Sequence, residues 1–319
     1  MRGQLKTNSG WASAILPGGT PALKKTIRLR AFAKINTGLK ILAKRPDGYH
    51  EIRTIYQTMG LADRLGISVT TPGKGIAVEC DHPEVPTGEG NLVYRACELW
   101  AGARGWHGHI DVRIQKKIPL GGGLGGASTD AAATLLGLER LTGDGLDFAA
   151  RHRLAAALGS DVPLFLLGGR VLGCGRGEEV YPLTDLPPRA CLVVFPGFAV
   201  STAEAYREAG LRLTGQIPTD YINKVGAWPH FPLTCWGPAE NDFEQVVFAR
   251  WPELARLKRR LIRAGAEVAS LTGSGSSVYA LFATRRAMAH AWKLIPKGWL
   301  AFRTRTLGRA GYLRNLFGD

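Results

Sequence analysis

Five glycines occupy the six positions from Gly121 to Gly126, directly ahead of an alanine- and leucine-rich stretch, Ala131 to Leu141, that reads as a helix. The start of a helix carries unpaired amides and about half a positive charge. Glycines put no side chain between those amides and an approaching anion. The run Pro119, Leu120, Gly121, Gly122, Gly123, Leu124, Gly125, Gly126, Ala127, Ser128 and Thr129 is therefore a candidate phosphate cradle. A Walker A loop needs lysine after its last glycine, where this chain has Ala127. The spacing Gly121-x-Gly123-x-x-Gly126 also fits a dinucleotide fingerprint, but Pro119 stands where the strand of such a unit should still be pairing. A phosphate loop of another class, a dinucleotide loop and a structural glycine turn all remain open on these residues alone.

Two further segments bear on chemistry. In Gly159-Ser-Asp-Val-Pro163, Ser160 or Asp161 could simply cap a short helix. Alternatively, Asp161 is a carboxylate kept ionised by nearby amides and able to take a proton from a substrate hydroxyl. Lys34 is either a solvated strand residue or the cation that holds such a carboxylate anionic and steadies a transferred group. A second small-residue loop, Leu271 to Val278, contains Gly273, Ser274 and Gly275; alone it reads as a turn between strands.

These residues need elements to position them. From Ile27 to Ile35 apolar residues alternate, with Ile27, Leu29, Ala31, Ala33 and Ile35 on one face, and Lys34 and Asn36 side by side on the other. That period of two predicts a strand with one buried face. Pro46-Asp-Gly48 is a turn, since proline presets φ and glycine accepts a positive φ, and Tyr49 and His50 follow it. Leu65 to Val69, Ile110 to Ile114 and Cys191 to Phe195 read as strands, and Val171 to Val180 as a glycine-punctuated hairpin. Helices are expected over Asn91 to Ala103, with Leu92, Ala96 and Leu99 inward, over Asp147 to Leu158, near Ala203 to Ala209, and as a basic amphipathic helix over Pro252 to Ala264. Ser270 to Phe282 reads as strand, turn, strand, followed by a short helix and a final strand. Gln216 to Trp236 shows no organising pattern. Without regular βαβ alternation the fold class is α+β. Three segments are expected: a basic extension over 1–25, a first domain over 26–188 ending at Pro187-Pro188, and a second over 189–319.

The 319 residues are 45% hydrophobic and 21% charged, which fits a globular chain of about two domains rather than a disordered one. No apolar run approaches the roughly 18 residues a membrane span needs. The formal charge is +15; no acid precedes Asp47, and none lies between Arg285 and Arg314. Such a surface attracts phosphates of any kind, yet the chain carries no recognisable nucleic-acid module. The cysteines at 80, 97, 174, 191 and 235 are widely spaced and form no C-x-x-C pair, which argues against a disulfide framework or structural zinc and for a reducing cytoplasm.

Ala33-Lys-Ile-Asn36, Arg45-Pro-Asp-Gly-Tyr-His50, the run from Pro119 to Thr129, Leu158-Gly-Ser-Asp-Val-Pro163 and Thr272-Gly-Ser-Gly-Ser276 together resemble the GHMP kinase superfamily, in its order, over about residues 26 to 310. The Arg-x-Asp-Gly-Tyr-His segment resembles the branch that phosphorylates a cytidine-diphosphate-linked methylerythritol on its 2-hydroxyl, in isoprenoid precursor synthesis. The resemblance implies a two-domain α+β fold with the active site and ATP in the cleft between the domains. It assigns Asp161 and Lys34 to catalysis. Asn36, Tyr49, His50, Thr202 and Tyr206 fall to the substrate, with Tyr49 and His50 on the cytosine base. Asn91, Leu92 and Lys116 lie near the adenosine, and the glycine loop with Gly273, Ser274 and Gly275 lies on the phosphates. ATP and Mg²⁺ are the implied cofactors. Ser128 and Thr129 supply hydroxyls one step later than the Ser-Ser of many relatives, so the resemblance names no metal ligands. The expected partner is a small molecule bearing a cytidine diphosphate, without nucleic acid or membrane, and the chain is expected as a monomer or weak homodimer. Two rival readings are a GHMP kinase for mevalonate, homoserine or a sugar, and a basic nucleic-acid-binding protein.

Overall fold

The computed structural model describes residues 23–210, 236 and 239–317. Most of the expected extension, the stretch 216–235 and Cys235 lie outside them.

A long hairpin organises the chain. β1 (Leu23–Lys44) and β2 (His50–Thr71) pair antiparallel along their length across the turn at Pro46, Asp47 and Gly48. The strand starts earlier than expected: Leu23, Lys24 and Lys25 pair with Thr71, Thr70 and Val69, so their main chains belong to the sheet. The predicted single buried face holds only as far as Ala31. A bulge between Phe32 and Lys34 shifts the phase, and every residue from Ala31 to Leu39 is buried.

The other edge of β2 is shared. Its first half takes β5 (Arg170–Cys174), which turns back into β6 (Glu179–Pro182). Its second half takes β4 (His109–Gln115), which pairs in parallel with β3 (Gly75–Cys80). Against this sheet lie α1 (Leu92–Arg104), α2 (Gly126–Thr142), α3 (Phe148–Leu158) and the single turn α4 (Leu164–Leu167). Asn91 caps α1 rather than opening it; Val93, Ala96, Cys97 and Trp100 are buried, with the expected Ala96 among them, and Leu92 and Leu99 pack partly buried against the same core.

The second sheet is antiparallel in the order β10 (Leu300–Arg305), β7 (Ala190–Phe195), β9 (Val278–Phe282), β8 (Val268–Leu271). α5 (Thr202–Gly210), α6 (Glu244–Arg250), α7 (Pro252–Arg263) and α8 (Arg285–Trp292) accompany it. α7 matches the amphipathic expectation, with Pro252 in its first turn and Leu254, Leu257 and Leu261 buried. A helix the sequence did not suggest, α9 (Arg309–Leu316), follows the last strand.

The cores do not divide at Pro187-Pro188. Leu39, Ile41 and Ile52 of the hairpin pack with Leu192, Val194 and Phe282 of the second sheet. Conversely, Tyr312 and Leu316 of α9 pack with Phe32 and Phe165 of the first, and the Tyr312 hydroxyl donates to the Phe165 carbonyl at 2.6 Å. A third cluster, including Ala33, Ile35, Leu124, Val193 and Tyr279, seals the seam. Lys34 and Asn36 therefore sit on the strand that both sheets grip.

Candidate active site

Three chain segments meet at the seam. The Lys34 amide donates to the Leu124 carbonyl at 3.0 Å, which fixes the glycine loop to β1. The Thr272 hydroxyl donates to the Gly123 carbonyl at 3.0 Å, which fixes the second small-residue loop to the first. Asn36 ties β1 to the second small-residue loop and to β2. Its Oδ1 accepts from Lys34 Nζ at 2.8 Å and from the Gly273 amide at 2.9 Å, while its Nδ2 donates to Thr54 Oγ1 at 2.7 Å. Gly125 caps α2 in the left-handed region (φ 73°), and no side chain makes a capping hydrogen bond to the first turn. The glycine loop thus runs into the start of α2, as the sequence suggests.

Above it lies a cavity of about 830 Å³. Its walls include Lys34, Asn36, Gly123, Gly125, Ser128 and Asp161 at one end and Tyr49, His50, Thr202 and Tyr206 at the other; Gly273 and Ser274 complete the seam side. Twelve of the residues named from the sequence thus share one wall. Gly121, Gly122, Leu124, Gly126, Ala127, Thr129 and Gly275 complete the two loops behind these lining residues. Thr202 Oγ1 meets Ser274 Oγ at 2.9 Å, which joins the start of α5 to the small-residue loop.

At the reactive end Lys34 Nζ stands 3.1 Å from Asp161 Oδ2, and the lysine side chain is only 4% exposed. The Tyr56 hydroxyl donates to Asp161 Oδ1 at 3.0 Å. Burial pushes the Tyr56 phenol well above its usual pKa, and the Asp161 charge adds to this, so the proton stays on the phenol. Asp161 is thus held by one cation and one neutral donor; a carboxylate oxygen accepts more than one hydrogen bond, so it can still receive a substrate hydroxyl.

The far end is aromatic. His50 stacks on Tyr206 (ring centroids 4.8 Å apart, planes 14° apart), and Tyr206 meets Phe243 edge-on. The Arg176 guanidinium lies 4.8 Å from the centre of the Tyr49 ring. Burial, helped by the Lys44 charge, lowers the His50 pKa, so its ring is neutral at pH 7. His50 Nε2 is buried and has no partner among the described residues. Neutral flat rings and an open ring nitrogen suit a planar heterocycle. Lys34, Lys44, Arg176 and Arg207 face a single acid, Asp161, across the cavity.

Sequence reasoning missed Tyr56, Lys44, Arg176, Arg207 and Phe243. Only Arg176 carried a local signal, since it stands between two glycines in the tip of a hairpin.

Asn91, Leu92 and Lys116, expected near the adenosine, and Pro119 and Leu120 of the glycine loop are not among the residues lining this cavity. Asn91 accepts from the Val93 amide at 2.8 Å as the α1 cap. The Lys116 side chain is 4% exposed, and its ammonium is shared by Asp63 and Asp130. Burial opposes that charge, but Asp130 and Asp63 outweigh it and raise the Lys116 pKa. Asp63 Oδ1 also accepts from the Lys117 and Ile118 amides at 2.5 and 2.8 Å. The triad therefore fastens the chain entering the glycine loop to β2 and to the first turn of α2; it supports the loop from behind. Among the described residues no group of three His, Cys, Asp or Glu gathers to hold a metal.

Residues 91–169 match the GHMP kinases N terminal domain, and residues 235–295 match the GHMP kinases C terminal domain. The 4-diphosphocytidyl-2-C-methyl-D-erythritol kinase of Solibacter usitatus is 47% identical over 273 residues, 84% of each chain. That of a Geobacter species is 39% identical over 285 residues, 89% of this chain and 100% of its own. A crystal structure of 4-(cytidine 5'-diphospho)-2C-methyl-D-erythritol kinase matches with a TM-score of 0.70 at 34% identity, over 88% of this chain and 99% of that one. The homoserine kinase of Cytophaga hutchinsonii, at 18% identity and a TM-score of 0.64 over 89% of this chain and 95% of its own, shares the fold. With sequence identity at this level along nearly the whole length of its relatives, the chain belongs to the 4-diphosphocytidyl-2-C-methyl-D-erythritol kinase family of the GHMP kinases.

Proposed function

We propose that this protein transfers the γ-phosphoryl group of ATP to the 2-hydroxyl of 4-diphosphocytidyl-2-C-methyl-D-erythritol, a step of isoprenoid precursor synthesis by the methylerythritol phosphate route. The observation that carries this reading is the Lys34–Asp161 pair, 3.1 Å apart, in one cavity with a bare helix start and a pair of stacked rings. Phosphoryl transfer asks a protein mainly for alignment and charge stabilisation. The amides of Gly122 to Ala127 cradle the β- and γ-phosphates. Asp161 accepts the proton of the acceptor hydroxyl or orients it, and Lys34 neutralises charge on the moving group. His50, Tyr49 and Tyr206 hold the cytosine, so that binding energy far from the reacting oxygen fixes its position. Asn91, Leu92 and Lys116 stand near the adenosine in this reading, and Pro119 and Leu120 lead into the phosphate loop.

A Mg²⁺ ion would offset phosphate charge, held by the Asp161 carboxylate and by hydroxyls such as Ser128 and Ser160; one carboxylate among hydroxyls suits a cation bound chiefly by phosphates and water rather than caged by protein. Among the described residues no helix is long and apolar enough to cross a membrane; a cytoplasmic site of action accords with this and with the cysteine pattern.

An ATP-consumption assay across the cytidyl substrate, mevalonate, homoserine and galactose tests the reading. Turnover is expected with the cytidyl substrate alone. Faster turnover with any of the other three would transfer the assignment to that substrate.

A further inference from the structure

A second concavity, of about 660 Å³, opens where the edge strand β10 and the start of α8 approach the middle of the β1–β2 hairpin, at Arg30, Phe32 and Gly60. Five arginines line it: Arg30, Arg285, Arg286, Arg303 and Arg305. No carboxylate lines it, and none of the five forms an ion pair among the described residues. Arg45, Arg104, Arg113, Arg151, Arg176 and Arg189 each pair with an acid, and other arginines such as Arg28, Arg64, Arg256 and Arg259 do not among the described residues; what sets the five apart is that they surround one hollow.

Leaving five like charges around one hollow costs repulsion, and two of them are placed where the backbone adds to it. Arg285 and Arg286 open α8, which has no acid in its first turn; cations at the positive end of a helix are unfavourable. Two others are oriented in advance. Arg30 lies 4.8 Å from the Phe32 ring centre, and Arg303 lies 4.9 Å from that of Trp292. Stacking of this kind fixes a guanidinium plane while leaving its N–H edge free for a phosphate. Phe32, Met288 and Leu307, all buried, contribute an apolar floor.

We propose that this hollow is a second anion site, separate from the catalytic cavity, that takes a small diphosphate-bearing molecule. Its volume lies within the range of small-ligand pockets, and its concave shape gathers the arginines around one compact charge rather than along an extended backbone. Phe32 lines this site and Lys34 the catalytic one, on either side of the bulge in β1.

Calorimetric titration of the full-length protein with inorganic pyrophosphate tests the proposal, with the catalytic cavity filled by the cytidyl substrate and a non-hydrolysable ATP analogue. One equivalent of pyrophosphate is expected to bind. The Arg303→Gln/Arg305→Gln variant should weaken that binding by about tenfold or more and keep the turnover of the parent. Both side chains are exposed, so circular dichroism of the variant should match the parent. Binding that the ATP analogue abolishes, or an unchanged affinity in the variant, overturns the proposal. A short single-stranded RNA that binds more tightly than pyrophosphate and is lost in the same variant also overturns it, in favour of nucleic acid.

Discussion

Asp161 has two neighbours that define its chemistry, and the pair explains why one substitution should separate catalysis from binding. Replacing it by asparagine keeps an oxygen for the Tyr56 hydroxyl but removes both the charge facing Lys34 and the proton acceptor. Asp161→Asn should leave ATP affinity nearly unchanged and reduce turnover by roughly 10²- to 10⁴-fold, the usual range for general acid–base help. Nucleotide binding measured beside steady-state rates checks this; undiminished turnover would remove Asp161 from its role. His50 makes a different prediction. Its pKa in the folded chain lies below the ordinary 6.5, through burial and then the Lys44 charge. Above pH 6.5 the ring is neutral in both states. As the pH falls below that value the unfolded chain binds the proton first, so stability is lost toward the folded pKa. Urea titrations between about pH 7.5 and pH 5.5 should therefore show a shallower loss for His50→Gln than for the parent. Parallel slopes would mean that the His50 environment does not disfavour the charged ring.

The glycine loop works as an element because it is locked from two sides. A methyl group on Gly123 would run into the Thr272 carbonyl oxygen, and its φ of +75° already excludes most side chains. Gly143, at the end of α2, has a similar φ of +78°, but the methyl that alanine would add there meets nothing within 4 Å. Gly143→Ala should cost about 1 kcal/mol, which is the left-handed conformation alone. Gly123→Ala should cost about 3 kcal/mol or more and abolish activity, since it parts the two small-residue loops. Thermal melts of the two variants give the comparison, and equal losses would show that the loops are not interlocked. This locking also marks the limit of what the sequence reveals. The run from Gly121 to Gly126, the turn before Tyr49 and the Ser160-Asp161 segment are legible because each acts through residue types that are adjacent in the chain. Tyr56 is not, because it lies in an apolar strand and reaches Asp161, 105 residues on, only through the register of β2 with β5. The Lys116 triad is hidden for the same reason: its carboxylate partners lie 53 and 14 residues away, and nothing local to Lys116 announces them. The bulge after Phe32 is likewise invisible to a period-two reading, yet it turns Ala33 and Ile35 into the seam instead of the first core.

At the scale of the whole molecule, the +15 charge has to be reconciled with two substrates that both carry phosphate chains. The excess is organised. Four cations line the catalytic cavity against one acid, so an incoming anion meets a positive field there. Clefts lined by one sign of charge focus the field and speed the encounter of oppositely charged ligands, an effect that salt screens over a Debye length of about 10 Å at 0.1 M. Contacts made after docking lie inside the cavity and are screened much less. The two rate parameters should therefore respond differently to salt. Between about 20 mM and 500 mM of a monovalent salt, kcat/KM for the cytidyl substrate should fall by about tenfold, while kcat changes by less than about twofold. The Lys44→Gln/Arg207→Gln variant, which halves the cationic lining, should start from a lower kcat/KM and show a shallower dependence. If kcat falls in step with kcat/KM, salt is acting on the Lys34–Asp161 pair itself, and the surplus charge is not what brings substrate to the site.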